Sequence, residues 1–256
     1  MELSVVILAA GKGTRMKSIL PKVMQPLAGR PLLAHVLATA QKLQSTRTIV
    51  VYGHGGEVVQ KHFAKQDNLA WALQAEQKGT GHAIQVALSQ LPETGKTLIL
   101  YGDVPLTTPE TLQKLLDLVS DDQKIALLTV NLANPTGYGR IVREAGLVQR
   151  IVEQKDASEQ EKQITEVNTG ILCVPNCHLH QWLPTLKNNN AQGEYYLTDV
   201  IALAVQQGLA VHTYQPQAAW EVEGINDKLQ LSTLERVYQR LQAENLMRAG
   251  ATIIDP

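Results

Sequence analysis

Cysteine is rare in this 256-residue chain, with two residues, and aromatic side chains make up only 4% of it. Two thiols cannot staple a small secreted fold, and a chain this long does not need them. A reduced, cytoplasmic setting is therefore the expectation. Scarce aromatics leave little material for base-stacking platforms. No excess of one charge exists either: 23 basic residues face 24 acidic ones, for a net charge of −1. That balance lacks the footprint of a nucleic-acid or anionic-membrane partner, and neither is expected. No apolar run approaches the length of a membrane span, and the short run Val5–Ala10 has no basic region before it, so no signal peptide is expected. Internal repeats, low-complexity tracts and Gly/Ser linkers are missing too. What is present is an ordinary globular composition, 44% hydrophobic and 18% charged. It suffices for one large α/β domain or two small ones.

Two periodicities alternate along the first 130 residues. Leu3–Ala9, Thr46–Tyr52, Leu69–Gln74 and Thr97–Tyr101 are short β-favouring runs with little polar alternation, the pattern of strands covered by helices on both faces. Between them, Leu33, Val36, Ala40 and Leu43 follow Pro31 at helical spacing, and Leu112, Leu115, Leu116 and Val119 follow the start signal Thr108-Pro109-Glu110. Alternation of this kind predicts an α/β fold with a doubly wound, mostly parallel sheet. From about residue 125 the runs Ile125–Leu132, Arg140–Arg143, Leu147–Glu153 and Val167–Val174 lie close together. They predict a β-rich, partly antiparallel lobe built over the first sheet. Helical patterns return at Leu197–Gln207 and Lys228–Met247.

The strongest local feature is Leu8-Ala9-Ala10-Gly11-Lys12-Gly13-Thr14-Arg15-Met16, followed by Pro21-Lys22. A glycine-rich turn at the carboxyl end of a first strand lies where open α/β sheets bind ligands. Glycines let the backbone pass close to a phosphate, and exposed N–H groups cradle it. Arg15 and Lys22 add charge that neutralises phosphate oxygens. No stretch fits the Walker A pattern, and Met16 stands where the dinucleotide fingerprint wants glycine or alanine. A tight turn without a ligand is the plainer reading of a lone G-x-G. The two cations and the Pro-Lys after it favour phosphate.

Taken with this loop, further segments resemble the signature of sugar-phosphate nucleotidylyltransferases. These are Gln74-Ala75-Glu76-Gln77-x-Gly79-Thr80-Gly81-His82-Ala83, Tyr101-Gly102-Asp103-Val104-Pro105-Leu106, Pro135 to Arg140, Ile151-Val152-Glu153, Asn168 to Ile171, Asn188 to Tyr196, and Val222 to Asn226. The nearest resemblance is to the uridylyltransferase half of bacterial enzymes that join N-acetylglucosamine-1-phosphate uridylyltransferase to an acetyltransferase. The matches are collinear and nearly end to end. The resemblance implies a Rossmann-like nucleotidyltransferase fold with a nucleotide-binding lobe over about 1–125 and a β-rich sugar-binding lobe over about 126–227. Residues 228–256 would be a helix and the start of a linker to a β-helix domain.

The implied reaction takes UTP and N-acetylglucosamine 1-phosphate to UDP-N-acetylglucosamine, a cell-envelope precursor, and pyrophosphate, with Mg2+. The sugar phosphate carries its own anionic nucleophile, so the chemistry needs positioning and charge neutralisation. The resemblance implies Arg15 and Lys22 as the catalytic cations and Asp103 with Asn226 as the metal ligands. It assigns Leu8, Ala9, Ala10, Gly11, Gln74, Gly79 and Thr80 to uracil recognition, with Tyr101 and Gly102 among the substrate contacts. Gly139, Glu153 and Asn168 would meet the N-acetylglucosamine moiety. On spacing alone Asp103 reads equally as a turn residue after Gly102, Gln74 as a polar strand end, Glu153 as a solvated strand residue and Asn226 as a helix cap.

Cys173, Cys177, His178 and His180 match no zinc spacing and read as a strand cysteine with surface histidines. The stripe Leu231, Leu234, Tyr238 and Leu241 reads as packing on its own domain. Other readings stay open: a sister transferase for another nucleotide or sugar, a non-catalytic sugar-nucleotide sensor, and a dinucleotide-dependent oxidoreductase, which Met16 disfavours. In the resembling bifunctional enzymes a hexapeptide-repeat β-helix carries acetyl transfer and trimerises. No such repeat occurs here, so the expectation is one activity and a monomeric chain, read as a piece of a longer enzyme in preference to a stand-alone transferase.

Overall fold

Strands that are apolar throughout need cover on both faces, and the computed structural model, which describes residues 1–53, 55–66 and 68–256, supplies it. The chain runs through β1 (Leu3–Ala9), a two-stranded ribbon of β2 (Pro26–Leu27) and β3 (Arg30–Pro31), α1 (Leu32–Lys42), β4 (Arg47–Tyr52), α2 (Glu57–His62), β5 (Leu69–Leu73), α3 (Thr80–Ala87) and β6 (Lys96–Tyr101). It continues through α4 (Pro109–Asp117), β7 (Lys124–Asn131), β8 (Arg140–Glu144), β9 (Leu147–Val152), β10 (Glu166–Pro175), α5 (Asn176–Trp182), α6 (Asp199–Gln206), β11 (Ala210–Tyr214) and α7 (Lys228–Arg248).

The main sheet has the order β11-β7-β10-β6-β1-β4-β5. Strands β6, β1, β4 and β5 are parallel, β10 is antiparallel to both β6 and β7, and β11 is parallel to β7. The region after residue 125 is partly antiparallel, as expected. However, β7, β10 and β11 extend the first sheet edge to edge and do not lie over it. Only the β8–β9 hairpin leaves the main path, joined to β10 through Arg140 and Val167. A register shift between Asn168 and Leu172 lets one long strand serve both, because a bulge bends the strand that carries it.

Alternate residues of β1 feed two cores. Val5 and Ile7 pack beneath α1 and α4 with Leu33, Val36, Leu112 and Leu116. Val6 and Leu8 pack on the other face with Ile84 of α3, Leu179 of α5 and Ile201 of α6. Each such side chain contributes about 1.5–3 kcal/mol by leaving water. The α4 start is as the sequence predicts: Thr108 caps, accepting from Thr111 N at 3.2 Å, and Pro109 is the first helical residue. The α7 stripe packs inward too. Leu234 is buried with Met16, Leu27, Leu32 and Ile225, and Leu231 and Tyr238 lie against them.

The strand order reverses at β1. The chain steps outward from β1 to β4 and β5, then returns to place β6 on the other side of β1. The carboxyl ends of β1 and β6 therefore flank a topological switch point, the crevice where such sheets hold ligands. In-register pairing of Leu8 with Tyr101 brings the two following loops level.

Candidate active site

The loop after β1 is shaped by one glycine. Gly13 has φ +60°, and a Cβ there would lie 2.6 Å from Lys22 Cβ. Only glycine both adopts this left-handed turn freely and lets the chain of Lys22 pass. The following 3-10 turn, Thr14–Met16, buries Met16 and leaves Arg15 exposed. A second short turn, Lys22–Met24, buries Val23 and Met24 and leaves Lys22 half-buried at the crevice. Gly11 differs from Gly13. Among the described residues beyond its chain neighbours, its Cβ would meet only Lys22 Cε, at 4.0 Å.

Across the switch point, Gly102 N donates to Leu8 O at 2.9 Å and presents Asp103 to the loop. Lys22 Nζ forms an ion pair with Asp103 Oδ2 and also donates to Asn226 Oδ1 at 3.3 Å. Arg15 Nη2 donates to the same Asn226 oxygen at 2.8 Å. Four residues spread from position 15 to 226 thus meet at one point. Asn226 is not the cap of α7. Asp227 takes that place, accepting from Gln230 N at 2.8 Å, so the Asn226 side chain is spared for the crevice. A carboxylate and an amide oxygen converging on one ammonium form a donor set for a hard cation. Among the described residues no cluster of three or more His, Cys, Asp or Glu could hold a metal.

Leu8, Ala9, Ala10, Gly11, Lys22, Gln74, Gly79, Thr80, Tyr101 and Asp103 line one cavity of about 330 Å³. Gln74 is buried, and its Nε2 donates to Gly79 O at 3.0 Å and lies 3.1 Å from His82 Nδ1. The amide's donor side is thereby occupied, leaving its carbonyl oxygen free of those bonds. Gly79 has φ +104°, with Tyr195 O only 2.6 Å from where a Cβ would be. Thr80 Oγ1 accepts from Leu197 N at 3.1 Å, and Gly81 N donates to Tyr195 O at 2.8 Å, so this wall is fastened to the loop before α6.

On the other side of Tyr101 and Asp103, a second cavity of similar volume is lined by Arg15, Thr136, Gly137, Tyr138, Thr169, Gly224 and Asn226. The predicted sugar residues lie close to one another. A Cβ on Gly139 would stand 3.3 Å from Glu153 Oε1, and Asn168 N donates to Gly139 O at 2.8 Å. Asn168 Oδ1 accepts from Gly170 N at 2.9 Å. Gly170, with φ +85°, leaves room for the Tyr101 ring, which would be 2.4 Å from a Cβ. Glu153 opens on a third cavity with Asp156, Asn190 and Asp199, while Gly139 and Asn168 line none of the three. Glu153 is not a solvated strand residue. Burial holds its carboxyl above the ordinary value, aided by Asp156, Asp199 and Glu194, although Thr198 Oγ1 donates to it at 3.0 Å. Burial also raises the Tyr101 hydroxyl, with the charges of Glu153 and Asp103 adding to the effect.

Several lining residues were given no role from the sequence. Gln77 donates from Nε2 to Ala10 O, and with Val23, Ala83 and Glu194 it completes the first cavity. Its signal was its place in the run Gln74 to Gly81, but an exposed-looking Gln carries no chemistry by itself. Tyr138 and Thr136 fall in a turn whose composition says only turn. Of the Cys/His group, Cys173 is buried in β10 with its thiol pushed up to about 12 by burial, and His178 stacks on Trp182 at 4.6 Å.

Relatives of known kind share this framework. A UDP-glucose pyrophosphorylase solved with UDP-glucose superposes with a TM-score of 0.74 at 16% identity, over 94% of this chain and 99% of that one. A putative glucose-1-phosphate thymidylyltransferase from Bacillus anthracis gives 0.71 at 17%, over 92% and 94%. At such identities the likeness is one of fold. In sequence, the chain is 58% identical to the bifunctional protein GlmU of Acinetobacter baumannii (strain AYE) over 256 residues, which is 100% of this chain and 56% of that protein. It is 58% identical to the protein of the same name from Thiobacillus denitrificans over 255 residues, 100% of this chain and 55% of that one. The chain thus spans little more than half the length of these relatives. The profile of the MobA-like NTP transferase domain matches residues 5–166, well over half of the chain. The chain belongs to the MobA-like NTP transferase domain family.

Proposed function

We propose that this chain transfers the uridylyl group of UTP to N-acetylglucosamine 1-phosphate, giving UDP-N-acetylglucosamine and pyrophosphate in the presence of magnesium. The observation that carries the reading is the meeting of Arg15, Lys22, Asp103 and Asn226 at the switch point, between two cavities of about 330 Å³ each. Residues 1–125 serve as the nucleotide-binding lobe and 126–227 as the sugar-binding lobe. Residues 228–256 add the helix that packs back on the first loop and the beginning of a linker.

The uracil lies against Leu8, Ala9, Ala10 and Gly11, with the Gln74 carbonyl oxygen and the backbone of Gly79 and Thr80 reading its edge. Gly139, Glu153 and Asn168 hold the N-acetylated sugar, with Tyr101 and Gly102 between the two substrates. An oxygen of the sugar phosphate attacks the α-phosphorus of UTP. The new O–P bond forms as the bond to the β-phosphate bridging oxygen breaks, and pyrophosphate leaves with that electron pair. No base is needed, because the nucleophile is already anionic. Lys22 and Arg15 offset the charge gathered on the α-phosphate and the leaving group. Magnesium would be held on the protein side by Asp103 and Asn226, and it would supply further charge neutralisation. Lys22 Nζ rests between those two oxygens and is poised to move onto phosphate.

No helix among the described residues is long and apolar enough to cross a membrane, and the nucleotide substrate suits a cytoplasmic reaction. The test is pyrophosphate release from a panel of nucleoside triphosphates and sugar 1-phosphates, with and without magnesium. UTP with N-acetylglucosamine 1-phosphate should give the highest kcat/KM. A clear preference for another pair would replace the assignment by a sister transferase.

A further inference from the structure

Asp103 and Asn226 sit on loops far apart in the chain, and something must hold those loops in register. Asp103 follows β6 and leads to α4. Asn226 ends a segment that leaves the sheet edge after β11 and passes through the 3-10 turn Ala219–Val222. Where the segments meet lies a glutamate that the crevice chemistry does not use. Glu221 is 3% exposed. A buried carboxylate is costly unless its oxygens are satisfied.

Among the described residues Glu221 has no basic partner. Two hydroxyls take that place. Thr111 Oγ1 donates to Glu221 Oε2 at 2.6 Å, and Thr108 Oγ1 donates to the same oxygen at 3.0 Å. The first distance is that of a charge-assisted hydrogen bond. Both threonines belong to the first turn and cap of α4, where the helix dipole favours an anion. Two further bonds complete the lacing: Thr107 Oγ1 donates to Glu221 O at 2.8 Å, and Ile225 N donates to Asp103 O at 2.9 Å. The last bond is one residue from Asn226 and ends on Asp103 itself.

We infer that Glu221 is a positioning residue: by clamping its segment to the start of α4 it sets the placement of Asn226 opposite Asp103, and hence the affinity of the pair for a divalent cation. This rests on the reading of Asp103 and Asn226 as the metal-binding pair. Side chains that orient metal ligands are worth about 10–100-fold in affinity. Glu221 lines neither of the two cavities, and its effect runs through Asn226.

Two measurements on the whole chain test this. The first is Mn2+ binding by electron paramagnetic resonance with UTP present. The second, made without metal, is hydrogen exchange of the amides of 219–227. The variants are Glu221→Gln, Thr111→Val and Thr111→Ser. The inference predicts that Glu221→Gln and Thr111→Val weaken Mn2+ binding about tenfold and speed exchange of 219–227. Exchange in α7 beyond Leu234 should not change, and Thr111→Ser should restore both readouts. Wild-type affinity and wild-type exchange in Thr111→Val and Glu221→Gln would overturn it. So would equal loss of protection throughout the chain, because that marks general destabilisation. If wild type itself binds no Mn2+ with UTP, the metal reading fails. In that case the exchange data still decide whether Glu221 fixes the segment.

Discussion

Lys22 and Asp103, 81 positions apart, form an ion pair directly beyond the carboxyl ends of β1 and β6, with both side chains only 14% exposed. Asp103 is thus engaged by the Lys22 ammonium. The same ammonium is the group proposed to receive phosphate. Replacing Lys22 or Arg15 by Ala should lower kcat/KM about 10²–10³-fold, the usual cost of removing a donor to developing charge. Circular dichroism and cooperative unfolding should be retained. Near-native rates in both variants would contradict their roles.

Asp103→Asn keeps the shape of the side chain and removes its charge. The half-saturating magnesium concentration in the steady-state assay should rise roughly tenfold or more. An unchanged titration would remove Asp103 from the metal pair.

Gly11 and Gly13 should part company on substitution by alanine. At Gly13 the left-handed backbone alone costs about 1–2 kcal/mol, and the added Cβ meets Lys22 Cβ at 2.6 Å. Its Tm should fall by roughly 2–8 °C, and turnover should fall with it. At Gly11 no atom of the described residues beyond its chain neighbours lies closer than 4.0 Å, so Tm should stay within a few degrees of wild type. The KM for the nucleotide should rise, because the methyl takes cleft space. Calorimetry and steady-state kinetics on the two variants separate a folding requirement from a binding one.

Glu153 carries a pH signature. Burial raises its carboxyl pKa in the folded state above the ordinary 4.5. The folded protein therefore holds the proton more tightly than the unfolded chain. Glu153's contribution to stability is fully present below that ordinary value and is lost as pH rises through the folded value. Glu153→Gln should then be more stable than wild type at pH 7, with the difference closing at and below pH 4.5. It should also bind the sugar phosphate more weakly. A difference in Tm independent of pH would show that the carboxyl is not desolvated in solution.

How much of this was legible in the sequence follows from where the information resides. Strands buried on both faces, such as β1 and β6, announce themselves by unbroken apolar runs, and α4 by Thr108 and Pro109. The edge strand β11, Ala210–Tyr214, did not, because it is half-buried and carries His212 and Thr213 amid short apolar residues. The six-residue α2 and seven-residue α5 are too short for a helical period to emerge. The joining of β7 and β10 to the edge of the first sheet rests on long-range pairing that no local pattern encodes. At the site, the glycine-rich loop and Asp103 were marked by local chemistry, whereas Gln74, Glu153 and Asn226 stood out only through resemblance. Glu221 was invisible. In the run Trp220-Glu221-Val222-Glu223 nothing distinguishes a buried, threonine-bound carboxylate from its half-exposed neighbour.

The proposed reaction is direct attack by the sugar phosphate on the α-phosphorus of UTP, with no residue of the chain bonded to the nucleotide on the way. Its most direct test uses UTP made chiral by sulfur at the α-phosphorus, together with N-acetylglucosamine 1-phosphate and magnesium. The stereochemistry of the product is then read by phosphorus NMR. Direct attack gives the α-thio analogue of UDP-N-acetylglucosamine with inverted configuration; retention of configuration, or no such product, would rule it out.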